Sequence, residues 1–96
     1  MRYFTWDPAK ASSNLKKHGV HFDAAIHVFD DPRALTILDR VEDGEHRWQT
    51  IGMIEGSLLV LVAHTEDDDG EDEIVRIISA RRATRQERRA YEEATG

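Results

Sequence analysis

Six consecutive apolar residues, Leu58 to Ala63 in "SLLVLVAH", restrict most what this chain can become. The run is far too short to span a bilayer. Its residues are apolar at both alternating sets of positions, so as a strand it must be central and covered above and below. "IVRIISA", Ile74 to Ala80, has nearly the same character. A chain holding both needs a sheet with something packed on each face.

The flanking segments supply the cover. "YFTW" reads as a first strand. "DPAKASSNLKKHG" then carries a full set of helix signals, with Asp7 as N-cap, Pro8 at the first helical position and Gly19 past the end. On that helix Pro8, Ala11, Leu15 and His18 share one face, and Lys10, Asn14 and Lys17 another, with the last-turn cations favourable to the helix dipole. Phe22, Ala25, Ile26 and Phe29 recur at helical spacing in "FDAAIHVFDDP", a second short helix stopped before Pro32. "ALTIL" is expected as a strand, joined through the charged linker "DRVEDGEHR" to the strand "WQTIGMI". Glu55 and Gly56 make a hairpin turn into "SLLVLVAH". The acidic connection "EDDDGEDE" leads to "IVRIISA", and Thr84 with Glu87 forms a capping box that starts the last helix at about Arg85. The expected order is β-α-α-β-β-β-β-α. This is an α+β fold, a mostly antiparallel sheet with two N-terminal helices and one C-terminal helix, in a single domain over residues 1–96.

Charge is distributed unevenly. The chain of 96 residues has a formal net charge of −6, but Glu66 to Glu73 alone contributes seven acids, and without them the sign would reverse to +1. Between Arg76 and Arg89 stand six arginines against the single acid Glu87. That is enough for a local positive field whatever the total. With no cysteine, neither disulfides nor thiolate metal sites are available. "MRYFTWDPAK" lacks the apolar stretch of a signal peptide, so the cytoplasm is the expected compartment and no membrane role is expected.

Chemistry is sought where charge meets the core. Arg76 lies in line with Ile74 and Ile78, and Arg81 with Val75, Ile77 and Ser79, so each needs a carboxylate, a carbonyl or a bound anion. An internal ion pair and a phosphate cradle both satisfy that requirement. Arg85, Arg88 and Arg89 make a cationic helix face, either solvated or anion-binding, while Glu87, Ala90, Tyr91 and Ala94 make the face turned to the sheet. His64 closes the apolar strand as a satisfied edge histidine or as a catalytic group. If "VAH" and "ISAR" pair, His64 and Arg81 would face one pocket, with Ser79, Glu87 and Tyr91 nearby. Cleavage of RNA without metal asks for a base at the 2′-hydroxyl, cations on the phosphorane and an acid for the leaving 5′-oxygen. His, Glu and Tyr can serve as base or acid, and arginine suits bidentate phosphate contact. His18 and His21 have H-x-x-H spacing with no completing ligand set, so no metal or other cofactor is expected. His27 and His46 suggest no function. Trp6, Phe22, Phe29 and Trp48 are expected in the core rather than as stacking platforms.

Taken together, two stretches resemble the BrnT family of bacterial toxins. The opening W-D-x-x-K-x-x-x-N-x-x-K-H-G-V-x-F pattern is met by Trp6, Asp7, Lys10, Asn14, Lys17, His18, Gly19, Val20 and Phe22. The closing I-S-A-R-x-A-T-x-x-E-R-x-x-Y pattern is met by Ile78, Ser79, Ala80, Arg81, Ala83, Thr84, Glu87, Arg88 and Tyr91. The resemblance implies a RelE-like fold and the toxin of a type II toxin–antitoxin module, a metal-independent endoribonuclease that inhibits translation by RNA cleavage. It also implies a BrnA-type antitoxin partner with a ribbon-helix-helix domain, through which DNA is reached only indirectly, and a toxin dimer in the complex is compatible with symmetry. On this reading His64, Arg81, Glu87 and Tyr91 are the catalytic candidates, and Arg76, Arg88, Lys17 and His18 the RNA-phosphate contacts. His64 and Arg76 rest on strand geometry rather than on the motif. The alternative is a non-catalytic interaction module that holds the antitoxin and acts as operon co-repressor. The acidic segment departs from the family pattern; over the site it would repel RNA, and elsewhere it would attract a basic segment of a partner.

Overall fold

The computed structural model describes residues 1–95. Strand β1 (Arg2–Thr5) leads to helix α1 (Pro8–His18), helix α2 (Phe22–Ala25) and a 3₁₀ segment (Ile26–Asp30). Strands β2 (Leu35–Glu42), β3 (Glu45–Ile54), β4 (Leu58–Asp68) and β5 (Glu73–Arg82) follow, then helix α3 (Arg85–Thr95). The α+β class and the three-helix count stand as expected. Asp7 accepts the Ala9 amide at 2.8 Å, and Gly19 takes the left-handed conformation that ends α1.

The five strands form one sheet in the order β1-β5-β4-β3-β2. β2 through β5 pair antiparallel, whereas β1 runs parallel to β5, from Arg2 opposite Glu73 to Thr5 opposite Arg76. The sheet is therefore mixed, which corrects the expectation of a mostly antiparallel one. The cause is the return path: α1 and α2 carry the chain across the sheet, so β1 lies against the last strand rather than beside the second.

Two further expectations change. "DRVEDGEHR" is not a linker; β2 and β3 continue through it and turn at Asp43 and Gly44, both at positive φ. "EDDDGEDE" is only partly a connection, since β4 runs on to Asp68 and β5 begins at Glu73, leaving residues 69–72 as the turn. Pairing with the neighbouring strand keeps the acids extended although aspartate has low strand propensity.

The apolar run is central and covered on both faces. Val60 and Val62 of β4 join Val75, Ile77 and Ala80 of β5 with Val20, Phe22, Ala25 and Val28 of the helical side. On the opposite face Leu59 and Leu61 pack with Ile51 and Tyr91 of α3. Phe22 is buried, while Trp6 and Phe29 pack at the core margin. Trp48 is only half-buried and lies beside His46. Among the described residues no helix is long and apolar enough to cross a membrane.

Candidate functional site

A bulge decides where the arginines of β5 point. Ala63 pairs with Ser79 but His64 pairs with Ile77, so Ile78 is an extra residue that shifts the alternation. Val75 and Ile77 before it, and Ala80 after it, all face the α1 side. Without the shift Arg76 and Arg81 would point to opposite faces; with it both point to the α3 face. There Arg81 donates two hydrogen bonds to Glu87, Nη1 to Oε1 and Nη2 to Oε2, each 2.8 Å.

Glu87 has two duties. Its Oε1 also accepts the Thr84 amide at 2.9 Å, while Thr84 Oγ1 accepts the Glu87 amide at 3.1 Å, closing the capping box that starts α3. The bonds from Arg81, against the opposing effect of burial, hold its carboxyl down to about 2. Glu87 is therefore ionised at neutral pH and too weak a base to take a proton from a hydroxyl.

One turn on, the buried Tyr91 hydroxyl donates to Asp31 Oδ2 at 2.6 Å, and the Met53 amide reaches the same oxygen at 2.8 Å. Burial alone would raise the Asp31 carboxyl, but the bonds from Tyr91, Met53 and Arg33 hold it below its usual value. Tyr91 is pushed up, first by that bond and then by burial. Tyr91 is thus a latch between α3 and the end of the 3₁₀ segment, with its proton committed.

Asn14 joins the two ends of the chain. β1 covers β5 only as far as Arg76, and beyond it the strand edge would be bare. Asn14 fills that gap: its Nδ2 donates to Ala80 O at 2.8 Å and its Oδ1 accepts the Ala80 amide at 3.1 Å, as a neighbouring strand would. Nδ2 also reaches Val20 O at 3.1 Å. Lys17 and His18 follow Asn14 by three and four residues, hence on its side of α1. The clamp ties α1 to the edge of β5 at Ala80, one residue before Arg81. The sequence reading placed Asn14 on a polar face, yet it is buried. An asparagine in line with a buried strand edge leaves no compositional mark.

The remaining candidates do not converge on Arg81. His64 belongs to the other face of the sheet, with its side chain 0% exposed, the Phe29 ring 5.0 Å away, and Nε2 2.7 Å from Thr50 Oγ1. Burial pushes its imidazole down to about 4. The sequence placed His64 and Arg81 in one pocket by pairing their strands, but alternation sends adjacent-strand residues to opposite faces when their registers differ by one. Arg76 is five residues from Arg81 along β5, roughly 15 Å, and its Nη2 pairs with Glu45 at 3.1 Å. Ser79 lies half-buried on the α3 face, and Arg85, Arg88 and Arg89 are exposed. A single shallow pocket of arginines is not what the chain builds; Arg81 is held by one acid, Arg76 by another, and the helix arginines stand in solvent.

The family model for the ribonuclease toxin BrnT of type II toxin–antitoxin systems matches residues 6–87. The crystal structure of the Brucella abortus ribonuclease toxin BrnT superposes with a TM-score of 0.67 at 24% identity, covering 88% of this chain and 99% of that one. At that identity the likeness establishes the fold. No curated protein matches the sequence.

Proposed function

The chain belongs to the BrnT family of ribonuclease toxins of type II toxin–antitoxin systems, and from that membership we propose that it is an endoribonuclease with a RelE-like fold that inhibits translation by cutting RNA. Its site is the open edge of β5. The observation that supports this placement is the Asn14 clamp on Ala80, which ties α1, the helix of Lys17 and His18, to the strand edge one residue before Arg81. RNA lies along this edge, with exposed Arg88 of α3 as a further phosphate contact.

Arg81 is the catalytic cation. Glu87 fixes its guanidinium in one orientation, leaving its remaining N–H groups to meet phosphate oxygens. In the transesterification the 2′-hydroxyl gives its proton to water and its oxygen bonds to phosphorus as the P–O5′ bond breaks, the leaving 5′-oxygen takes a proton from water, and charge builds on the non-bridging oxygens. A preorganised guanidinium stabilises that charge without reorganising. The surface thus contributes electrostatic stabilisation, with Glu87 and Tyr91 as positioning residues. The reaction proceeds without divalent metal, and the protein is held inactive by an antitoxin of the BrnA type.

Cleavage of RNA in EDTA by wild type, Arg81→Ala and Arg81→Lys tests this. Arg81→Ala is expected to lose about 100-fold or more, the scale of a lost transition-state donor, and Arg81→Lys, which keeps the charge but not the fork, to remain clearly impaired. Equal cutting by all three would remove the site. A second reading, the non-catalytic partner-holding module, is favoured by the Arg81–Glu87 pair being complete in itself. Growth arrest on expression of the wild-type chain alone would exclude it.

A further inference from the structure

The acids of the β4–β5 hairpin build a concave surface at the end of the sheet away from Arg81. Strand alternation puts His46 and Trp48 of β3, Glu66 and Asp68 of β4, and Glu73 of β5 on the face that also holds His64. These side chains border a cleft of about 590 Å³ to which no helix residue contributes. Its carboxylates are unevenly balanced. Glu73 pairs with Arg2 at 3.2 Å, whereas among the described residues neither Glu66 nor Asp68 pairs with an arginine or lysine. Burial, then the nearby Glu73, pushes the Glu66 carboxyl up, and Arg2, bonded to Glu73 rather than to Glu66, offsets this only in part.

A second, independent feature points into the same place. The His64 ring is completely buried and its Nδ1 has no hydrogen-bond partner, lying 3.7 Å from Oε1 of Glu66, which lines the cleft. The Thr65 backbone approaches the ring and favours its protonated form, but its geometry at Nδ1 falls short of a hydrogen bond. A buried polar atom left unpaired beside an unpaired carboxylate is unfavourable in the free protein. A donor that draws Glu66 into a fixed position would relieve both.

The kind of cation follows from the donor spacing. Among the described residues no three His, Asp or Glu side chains gather closely enough to hold a metal ion. A broad planar cation fits better, because its several N–H groups reach separate carboxylates and its face stacks on an indole. Trp48, half-exposed with the His46 ring 6.2 Å away at 22°, offers that aromatic wall. We propose that this cleft binds the guanidinium group of an arginine-bearing segment of a partner protein, with Glu66 and Asp68 as its acceptors and Trp48 as its stacking face. None of these residues takes part in the proposed RNA site, so the two readings fail separately.

The test is an NMR titration of isotope-labelled protein with the blocked peptide acetyl-Gly-Arg-Gly-Arg-Gly-amide. The Trp48 indole N–H and the His64 ring signals are expected to shift and saturate, while the Trp6 indole stays still. Glu66→Gln/Asp68→Asn should weaken binding about tenfold or more. Glu71→Gln/Glu93→Gln, which removes the same charge outside the cleft, should leave it within twofold. The lysine counterpart of the peptide should bind about tenfold more weakly. An unmoved Trp48, equal weakening by both double variants, or equal binding of the lysine peptide would each overturn the proposal.

Discussion

Two residues on opposite faces of one sheet carry large shifts that shape how this protein responds to acid. His64 has its imidazole pushed down by burial from 6.5 to about 4, so between those values the unfolded chain binds a proton that the folded one refuses. Stability from this group is complete above pH 6.5 and is lost as pH falls to 4. Glu87, held by Arg81, titrates at about 2 instead of 4.5, so its contribution is complete above 4.5 and is lost as pH falls through 2. Each shift corresponds to at most about 3 to 4 kcal/mol, a tenfold change in proton affinity being worth about 1.4 kcal/mol. Urea unfolding at stepped pH should therefore show two successive declines, with His64→Gln removing the upper and Glu87→Gln reducing the lower, to which Asp31 also contributes. A wild-type curve flat from pH 6.5 to 4 would mean that the imidazole reaches water. The sequence made both residues candidates, but their separation depends on one extra residue, Ile78, whose presence in a bulge no pattern of hydrophobicity reveals.

At the level of elements, most of the fold was legible where local chemistry is strong: the caps of α1, the Glu55–Gly56 turn, the capping box of α3 and the apolar run of β4. The errors fall where tertiary pairing overrides propensity. The charged hairpin around Gly44 and the acidic ends of β4 and β5 are extended because neighbours pair with them, and the parallel placement of β1 follows from a crossover no local signal encodes. The 3₁₀ segment after α2 has a tertiary cause as well. It presses on β3 so closely that a Cβ at Gly52 would sit 2.8 Å from both Val28 Cβ and Val28 O. Backbone cannot yield as a side-chain tip can, so Gly52→Ala must push the segment off the sheet, at about 1–3 kcal/mol. For a chain of this size that is a fall in Tm of about 4 °C or more. An unchanged melting temperature would show that the segment is loosely seated, and the seating of Phe29 against His64 would then need revision.

Across the whole molecule the charges are sorted to opposite ends of the β4–β5 hairpin. Arg81 sits opposite Leu61 near its open end, while the acidic turn lies beyond Asp68 and Glu73 at the other. Eight residues of extended chain with one bulge separate Arg81 from Glu73, roughly 25 Å, in a body whose longest dimension is 34 Å. The Debye length at physiological salt is about 8 Å, so the turn acts on RNA at Arg81 through about three screening lengths. The net charge of −6 is therefore a poor guide to nucleic-acid binding. Removing two acids from the turn, as in Glu71→Gln/Asp72→Asn, should change RNA cleavage by less than twofold at 0.15 M salt. At 0.01 M, where the screening length grows to about 30 Å, the same variant should cut measurably faster than wild type, because long-range repulsion of the incoming strand is then felt. A several-fold gain at physiological salt would mean that RNA passes close to the acidic turn, and the site would have to be moved along β5 towards Arg76.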